Sequence, residues 1–312
     1  CQDGRRIFGL QSFGLHGRLT HIPANEVCCK GEWIDGRYVM TVQGLMRQSA
    51  VHGENLTLRR TITAVLGEPK LHIHDVIENE GHTAEPFMLL YHMNFGYPLL
   101  SPQSRLVVRS DAVLGADETA QAEIDQYASF HEPMHLRDER CYFHDLHADA
   151  DGSVRIALVN DSLELGAALR FNKNELPCLT EWKMLAEGEY VLGLEPGNTN
   201  PIGRLAAKER GTLQYLQPGE IRQTHIELEI LDGGAAIRQA EQEITKPEII
   251  GVCDMNPASF EWFDKAFPNL KYHFTDYHDL LACEDIEAVY CAVPHVLHQQ
   301  VYSDIINAGK HL

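Results

Sequence analysis

Between about residue 38 and residue 231 the chain repeats one pattern: short runs of alternating apolar and polar residues, each closed by a turn signal. The runs include "YVMTVQGLM", "NLTLRRTITAV", "LHIHDVIEN", "SVRIALVND", "YVLGLE" and "IRQTHIELEIL". Between them stand "GEPK", "ADADGS", "EPGNTNP" and "LQPGE". Strand side chains alternate between faces, so each run can bury one side and expose the other. Many such runs at this spacing, with almost no helical periodicity, predict an antiparallel β-sandwich or barrel.

The rhythm changes after "LDGG" at 231–234. "AAIRQAEQEI" has the pattern of an amphipathic helix or linker. "EIIGVCD" is a continuous apolar run of the kind that suits a buried parallel strand. "PASFEWFDKAF" places Pro257 at a helix start. "LKYHF", "YHDLLAC", "IEAVYCAV" and "HVLHQQVYSDIINAG" continue a strand–helix alternation that predicts βαβ units. The expected division is a β-sandwich over 1–232, a linker or helix over 233–246, and a small partial α/β Rossmann-like domain over 247–312. The fold class is therefore mainly β. The chain opens on Cys1 in mid-pattern and stops at "INAGKHL" as a strand is starting, so it reads as a fragment.

Composition narrows the partners. A formal net charge of −19, with no basic block, argues against nucleic acid and anionic membrane. No apolar run approaches the roughly 20 residues of a spanning helix, and no signal-peptide pattern opens the chain. The eight cysteines show no CxxC spacing and are expected to be reduced, mostly buried thiols in a cytoplasmic setting.

Three stretches carry chemistry. In "LLYHMNFGYPLL" (89–100) alternation groups Tyr91, Met93, Phe95 and Tyr97 on one face, and His92, Asn94 and Gly96 on the other. A titratable ring, an amide and a glycine on the outer face imply space kept for a ligand. In "YVLGLEPGNTNPIGR" (190–204) Glu195 shares a face with Gly193, and strand glycines mark places where a ligand approaches. "FGLHGRLTHIPA" (13–24) sets His16 and Arg18 in a glycine-punctuated loop, where binding residues gather.

Together "LHGR", "YHMNFGYPLL" and "LEPGNTNP" resemble the galactose-mutarotase-like (aldose 1-epimerase) superfamily, in family order, over roughly residues 10–231. The resemblance implies a large β-sandwich with a small-molecule sugar across one face and no cofactor. It makes His92 the general acid at the ring oxygen, Glu195 the general base at the anomeric hydroxyl, and His16 a sugar-binding His. A His–Glu pair suits reversible proton transfer near neutral pH. Asn94, Arg18, Trp182 and Lys183 are expected to contact the sugar. His144 and Asp145 of "CYFHDLHAD" lie where the superfamily often places a hydroxyl-binding Asp.

The segment from about 249 to 312 resembles part of the nucleotide-binding domain of the glucose–fructose oxidoreductase/inositol dehydrogenase family (Gfo/Idh/MocA). That resemblance puts Asp254 at the ribose hydroxyls and Pro294 and His298 beside the cofactor. Two parts of the family pattern are absent from this sequence. No GxGxxG precedes "EIIGVCD", and the chain ends before a Glu-Lys-Pro motif. NAD(P) is therefore expected only in a complete form of this domain. Three other readings stay open: a non-catalytic carbohydrate-binding sandwich, an NAD-dependent sugar oxidoreductase, and a cupin-like metalloprotein built on His72, His74 and Glu78. The last lacks a companion segment that supplies another His, and no metal is expected.

Overall fold

The computed structural model describes residues 16–245, 249–267 and 270–312. The chain forms two compact units, Cys1–Thr245 and Lys246–Leu312. The first opens with a meander of β1 (Asn25–Ile34), β2 (Arg37–Ser49), β3 (Asn55–Val65) and β4 (Lys70–Asn79). Shorter strands follow: β5 (Glu85–Phe87), β6 (Met93–Gly96), β7 (Ser104–Val107) and β8 (Ser110–Gly115), then helix α1 (Glu118–Ala122). Next come β9 (Arg140–Leu146), β10 (Ser153–Asn160), β11 (Leu165–Asn172), β12 (Cys178–Ala186) and β13 (Glu189–Gly197). The unit closes with α2 (Arg204–Glu209), β14 (Gln214–Leu216), β15 (Ile221–Asp232) and α3 (Gly234–Thr245).

These strands make an eight-stranded sheet, β1-β2-β3-β4-β15-β11-β10-β7, and a five-stranded sheet, β6-β13-β12-β9-β8; β5 and β14 pair separately. All of these pairings are antiparallel. The two sheets pack face to face through Ile156, Leu158 and Leu169 on one side and Leu179, Leu192 and Leu194 on the other, all fully buried. Each such side chain contributes on the order of 1.5–3 kcal/mol relative to its exposed state. The expected sandwich is the fold.

The other face of β10 carries Ala157 and Val159, which α3 covers together with Val107, Ala168 and Leu231. Ile237, Ala240 and Ile244, at helical spacing, form the apolar face of α3. Its acids meet sheet arginines: Arg170 lies 3.3 Å from Glu243, while Arg155 pairs with Glu243 and Arg105 with Glu241.

Two expectations fail in the meander and the turns. Every residue of β1 is exposed, Cys28 and Cys29 among them, and the other described cysteines are only partly covered. Among the described residues nothing covers the thiols of this end strand. Tyr97 leaves the apolar stripe and is 83 % exposed, because the chain turns at 97–99 instead of extending.

In the second unit β16 (Gly251–Cys253) and β17 (Tyr272–Phe274) pair in parallel, with α4 (Phe260–Ala266) between them. Helices α5 (Tyr277–Ala282) and α6 (His295–Asn307) follow. Asn256 caps the turn that begins at Pro257 by accepting from Ala258 N at 3.2 Å. The expected strand "IEAVYCAV" is reduced to one parallel bridge, Ala288 to His311. Tyr290 within it is 96 % exposed, while Ile286, Val289, Cys291 and Val293 of the same run pack on this unit's core. Leu280, Leu281, Ile286, Val301 and Ile305 form this unit's core. Among the described residues no helix is long and apolar enough to cross a membrane.

Candidate active site

Directly paired residues in a sheet point the same way. On the five-stranded sheet Glu195 pairs with Thr180, and Gly193 with both Trp182 and Asn94. Trp182 pairs in turn with Cys141. Leu192 and Leu194 take the core, so Glu195, Gly193, Trp182, Asn94 and Cys141 share the outward face. His92, one residue before β6, joins them: its Nε2 lies 2.8 Å from Glu195 Oε1.

Gly193 makes this approach possible. A Cβ there would lie 2.8 Å from Glu195 Oε1, 3.1 Å from His92 Cε1 and 3.2 Å from Trp182 Cε3. The Trp182 ring stands edge-on to His92 with centroids 5.5 Å apart, and the His16 ring approaches from the other element at 5.7 Å. Trp182 Nε1 donates to Glu139 Oε2 at 2.6 Å. Glu139 is a member of this cluster that the sequence reading passed over. Its parity with Cys141, two residues on, was the available signal.

The electrostatics couple the pair. Burial, reinforced by the Glu139 carboxylate, raises the Glu195 pKa from 4.5 to about 7. Burial also lowers the His92 pKa from its ordinary value; the Asn94 hydrogen bond opposes this and nearby His16 adds to it. His92 Nδ1 lies 2.8 Å from Asn94 Oδ1. With Nδ1–H donating to that amide oxygen, a neutral His92 presents Nε2 as an acceptor. A protonated Glu195 then donates to Nε2. Moving that proton gives a carboxylate facing an imidazolium, so the dyad can hold one shared proton in either form.

Other predicted residues lie elsewhere. His144 and Lys183 point to the opposite, inward face of the sheet. His144 Nε2 is 3.0 Å from Glu181 Oε2, and its Nδ1 is 3.0 Å from Ser110 Oγ. Lys183 Nζ donates to the carbonyls of Gln126, Tyr127 and Ser129 at 2.8, 3.0 and 2.7 Å. Both side chains secure the interior and are withheld from a ligand on the outer face. Asp145 keeps the outward parity but accepts from Lys173 Nζ at 2.8 Å. Arg18 forms an ion pair with Glu54. Residues 13–15 of the first motif lie outside the described residues.

His72, His74 and Glu78 share a sheet face but are engaged separately. His74 Nε2 is 2.9 Å from Gln223 Oε1, and His72 Nδ1 is 3.5 Å from Glu227 Oε2. Among the described residues no group of three or more His, Cys, Asp or Glu is arranged to hold a metal ion. In the second unit Asp254 Oδ1 accepts from Asn256 N at 2.8 Å, Pro294 caps α6, and His298 Nε2 donates to Val293 O at 2.7 Å.

The outward His–Glu dyad thus stands on an antiparallel double sheet, and comparison with known proteins shows what this fold is similar to. The chain belongs to the family described as a domain of unknown function, DUF4432, whose model matches residues 3–230. A second model, an oxidoreductase family with an NAD-binding Rossmann fold (Gfo/Idh/MocA), matches residues 229–312. Among solved structures, a Klebsiella pneumoniae protein provisionally described as an aldose 1-epimerase is 25% identical with a TM-score of 0.71, over 74% of this chain. The chain spans 60% of that protein's length. A galactose mutarotase-like protein from Clostridium acetobutylicum is 14% identical with a TM-score of 0.48, over 67% of each chain. No curated protein matches the chain.

The NAD-binding match begins inside β15, a strand that pairs with β4 and β11 of the sandwich. Its next element, α3, packs on that same sandwich. At the helix start a Cβ on Gly234 would lie 3.2 Å from both Arg238 Nη1 and Glu164 Oε1, so side chains already crowd the helix end that a pyrophosphate would need. The residues present do not fit a dinucleotide at this turn.

Proposed function

We propose that the sandwich binds an aldose across the outward face of its five-stranded sheet and interconverts the two anomers. The observation that carries this is the 2.8 Å approach of His92 Nε2 to Glu195 Oε1 from different elements, on an outward face flanked by His16 and Trp182. The ring oxygen and the anomeric hydroxyl of a sugar hang on one carbon. An acid and a base meant for those two atoms must therefore stand close together. Protonated His92 gives its proton to the ring oxygen while Glu195 takes the anomeric hydroxyl proton, and the ring opens to the aldehyde. Rotation about the C1–C2 bond and the reverse transfers close it on the other face. The dyad ends with the proton count it began with, so no cofactor enters. Trp182 and His16 provide ring surfaces that suit the faces of a hexose.

Polarimetry on fresh α-glucose and α-galactose, corrected for spontaneous mutarotation, tests this. His92→Gln and Glu195→Gln should each slow exchange by roughly 100-fold or more, as expected for loss of a positioned acid or base. Parental rates in both variants would overturn the assignment. Sugar binding without turnover in the parent would leave a carbohydrate-binding sandwich.

A further inference from the structure

His92 is not held by a regular strand. Residues 88–92 lie outside the ladder of β6 apart from one bridge, Leu90 to Gly197. The segment instead closes against the residues just after Glu195. Tyr91 N donates to Pro196 O at 2.9 Å, and Asn198 N to Leu89 O at 3.0 Å. The Asn198 side chain, in a residue only 4% exposed, accepts from Leu89 N at 2.7 Å and donates to Phe87 O at 3.1 Å. It also lies 3.3 Å from Gln214 Oε1. Gly197 is required for this seating, since a Cβ there would stand 2.8 Å from Leu89 O.

A second anchor comes from the opposite sheet. Tyr91 is buried and donates through its hydroxyl to Asp75 Oδ2 at 2.6 Å. Asp75, with no exposure, is gripped by Arg60 through Nε at 2.9 Å and Nη2 at 2.7 Å. The residue before the acid and the residues after the base are thus fixed to each other and to the core.

We propose that Asn198 and Tyr91 are positioning residues that set the spacing of the His92–Glu195 dyad, a role that rests on the anomer-exchange reading of that pair. Neither touches the reacting atoms. Asn198 holds the His92 segment against the end of β13, and Tyr91 stops it from rotating about that seam.

The full chain is tested with Asn198→Ala and Tyr91→Phe; the second keeps the ring and leaves Asp75 with Arg60, so its fold is retained. Leu158→Ala, a cavity in β10 of the eight-stranded sheet with no hydrogen bond to the His92 segment lost, serves as a control for lost stability. Anomer exchange should fall roughly 10–100-fold in kcat for the two test variants, as a displaced reacting group predicts, with KM within about twofold. The control should keep its kcat below its melting temperature. Parental kcat in both test variants, or an equal loss in Leu158→Ala, overturns the proposal. Imidazole nitrogen shifts of His92, assigned by their loss in His92→Gln, give a readout independent of turnover. In the parent they should report the Nδ1–H form held against Asn94, and in the test variants move toward a freely exchanging ring. If no aldose is turned over but these shifts move, the anomer-exchange reading fails and the positioning role stands. Unmoved shifts overturn the positioning role.

Discussion

Glu195 sits under a conflict between stability and chemistry that fixes a pH signature. Its folded pKa, about 7, lies above the ordinary 4.5 because burial opposes the charge. A raised folded pKa means that the stabilising contribution is fully present below about 4.5 and is lost as pH rises through about 7. Glu195→Gln removes that loss and leaves an amide that can donate to His92 Nε2. At pH 8 the variant should gain on the order of 2–3 kcal/mol, less any solvent relaxation, and near pH 4 almost nothing; urea unfolding at the two pH values measures it. Equal changes at both pH values would place the effect outside this ionisation. Activity follows the same proton. The dyad works while it holds one, so exchange should fall as pH rises above about 7, the value at which the Glu195 proton leaves. At this scale the sequence was informative: a His and a Glu, each sharing a face of an alternating run with a glycine, were legible as ligand-face candidates. The approach of Glu139 to Trp182 was not, because it joins the residue just before β9 to β12, and no local pattern specifies that register.

Strands β8, β9 and β12 are knit from beneath the site by a buried polar chain. Ser110, His144 and Glu181 lie on three neighbouring strands, and the His144 and Glu181 side chains have no exposure. Glu181 Oε1 makes no hydrogen bond among the described residues, and Glu181 Oε2 meets His144 Nε2. Removing it would strand a buried charge. His144→Ala should therefore cost about 3–5 kcal/mol in thermal or denaturant unfolding, while Asp145→Ala, exposed on the other face, should cost within about 0.5 kcal/mol. Similar losses in both would show that the buried pair does not carry the cost assigned to it. The sequence could not separate these neighbours. "CYFHDL" alternates cleanly, but with His144 on one face and Asp145 on the other both sides carry a polar residue, so the pattern does not say which is the inside. Lys183 misled for the same reason, its ammonium being satisfied by three carbonyls of a loop more than fifty residues away.

At the scale of the whole molecule, the change of rhythm after residue 231 was legible, but its consequence was not. The residues that match the start of a nucleotide-binding family model are spent on the sandwich: β15 completes the eight-stranded sheet, and α3 covers Ala157, Val159 and Leu231. Amphipathic spacing announced the helix and could not say which surface it would cover. Dinucleotide binding depends on a glycine turn that frees backbone amides at a helix N-terminus for the pyrophosphate. Here the amides of Ala236 and Ile237 both return to Gly233 O, at 3.1 and 3.3 Å, and Glu164 stands beside Gly234. Arg238 Nη1 is equally near Gly234, so the two side chains crowd the helix end that a pyrophosphate would have to approach. NADH titrated against the full chain should accordingly show no saturable change in nicotinamide fluorescence at low micromolar concentration. Glu164→Gln leaves both the crowding at Gly234 and the turn without the family's glycine spacing, so it should change binding only slightly. Tight saturation in the parent would mean that another segment supplies the phosphate site, and would bring the oxidoreductase reading of the second unit back into contention.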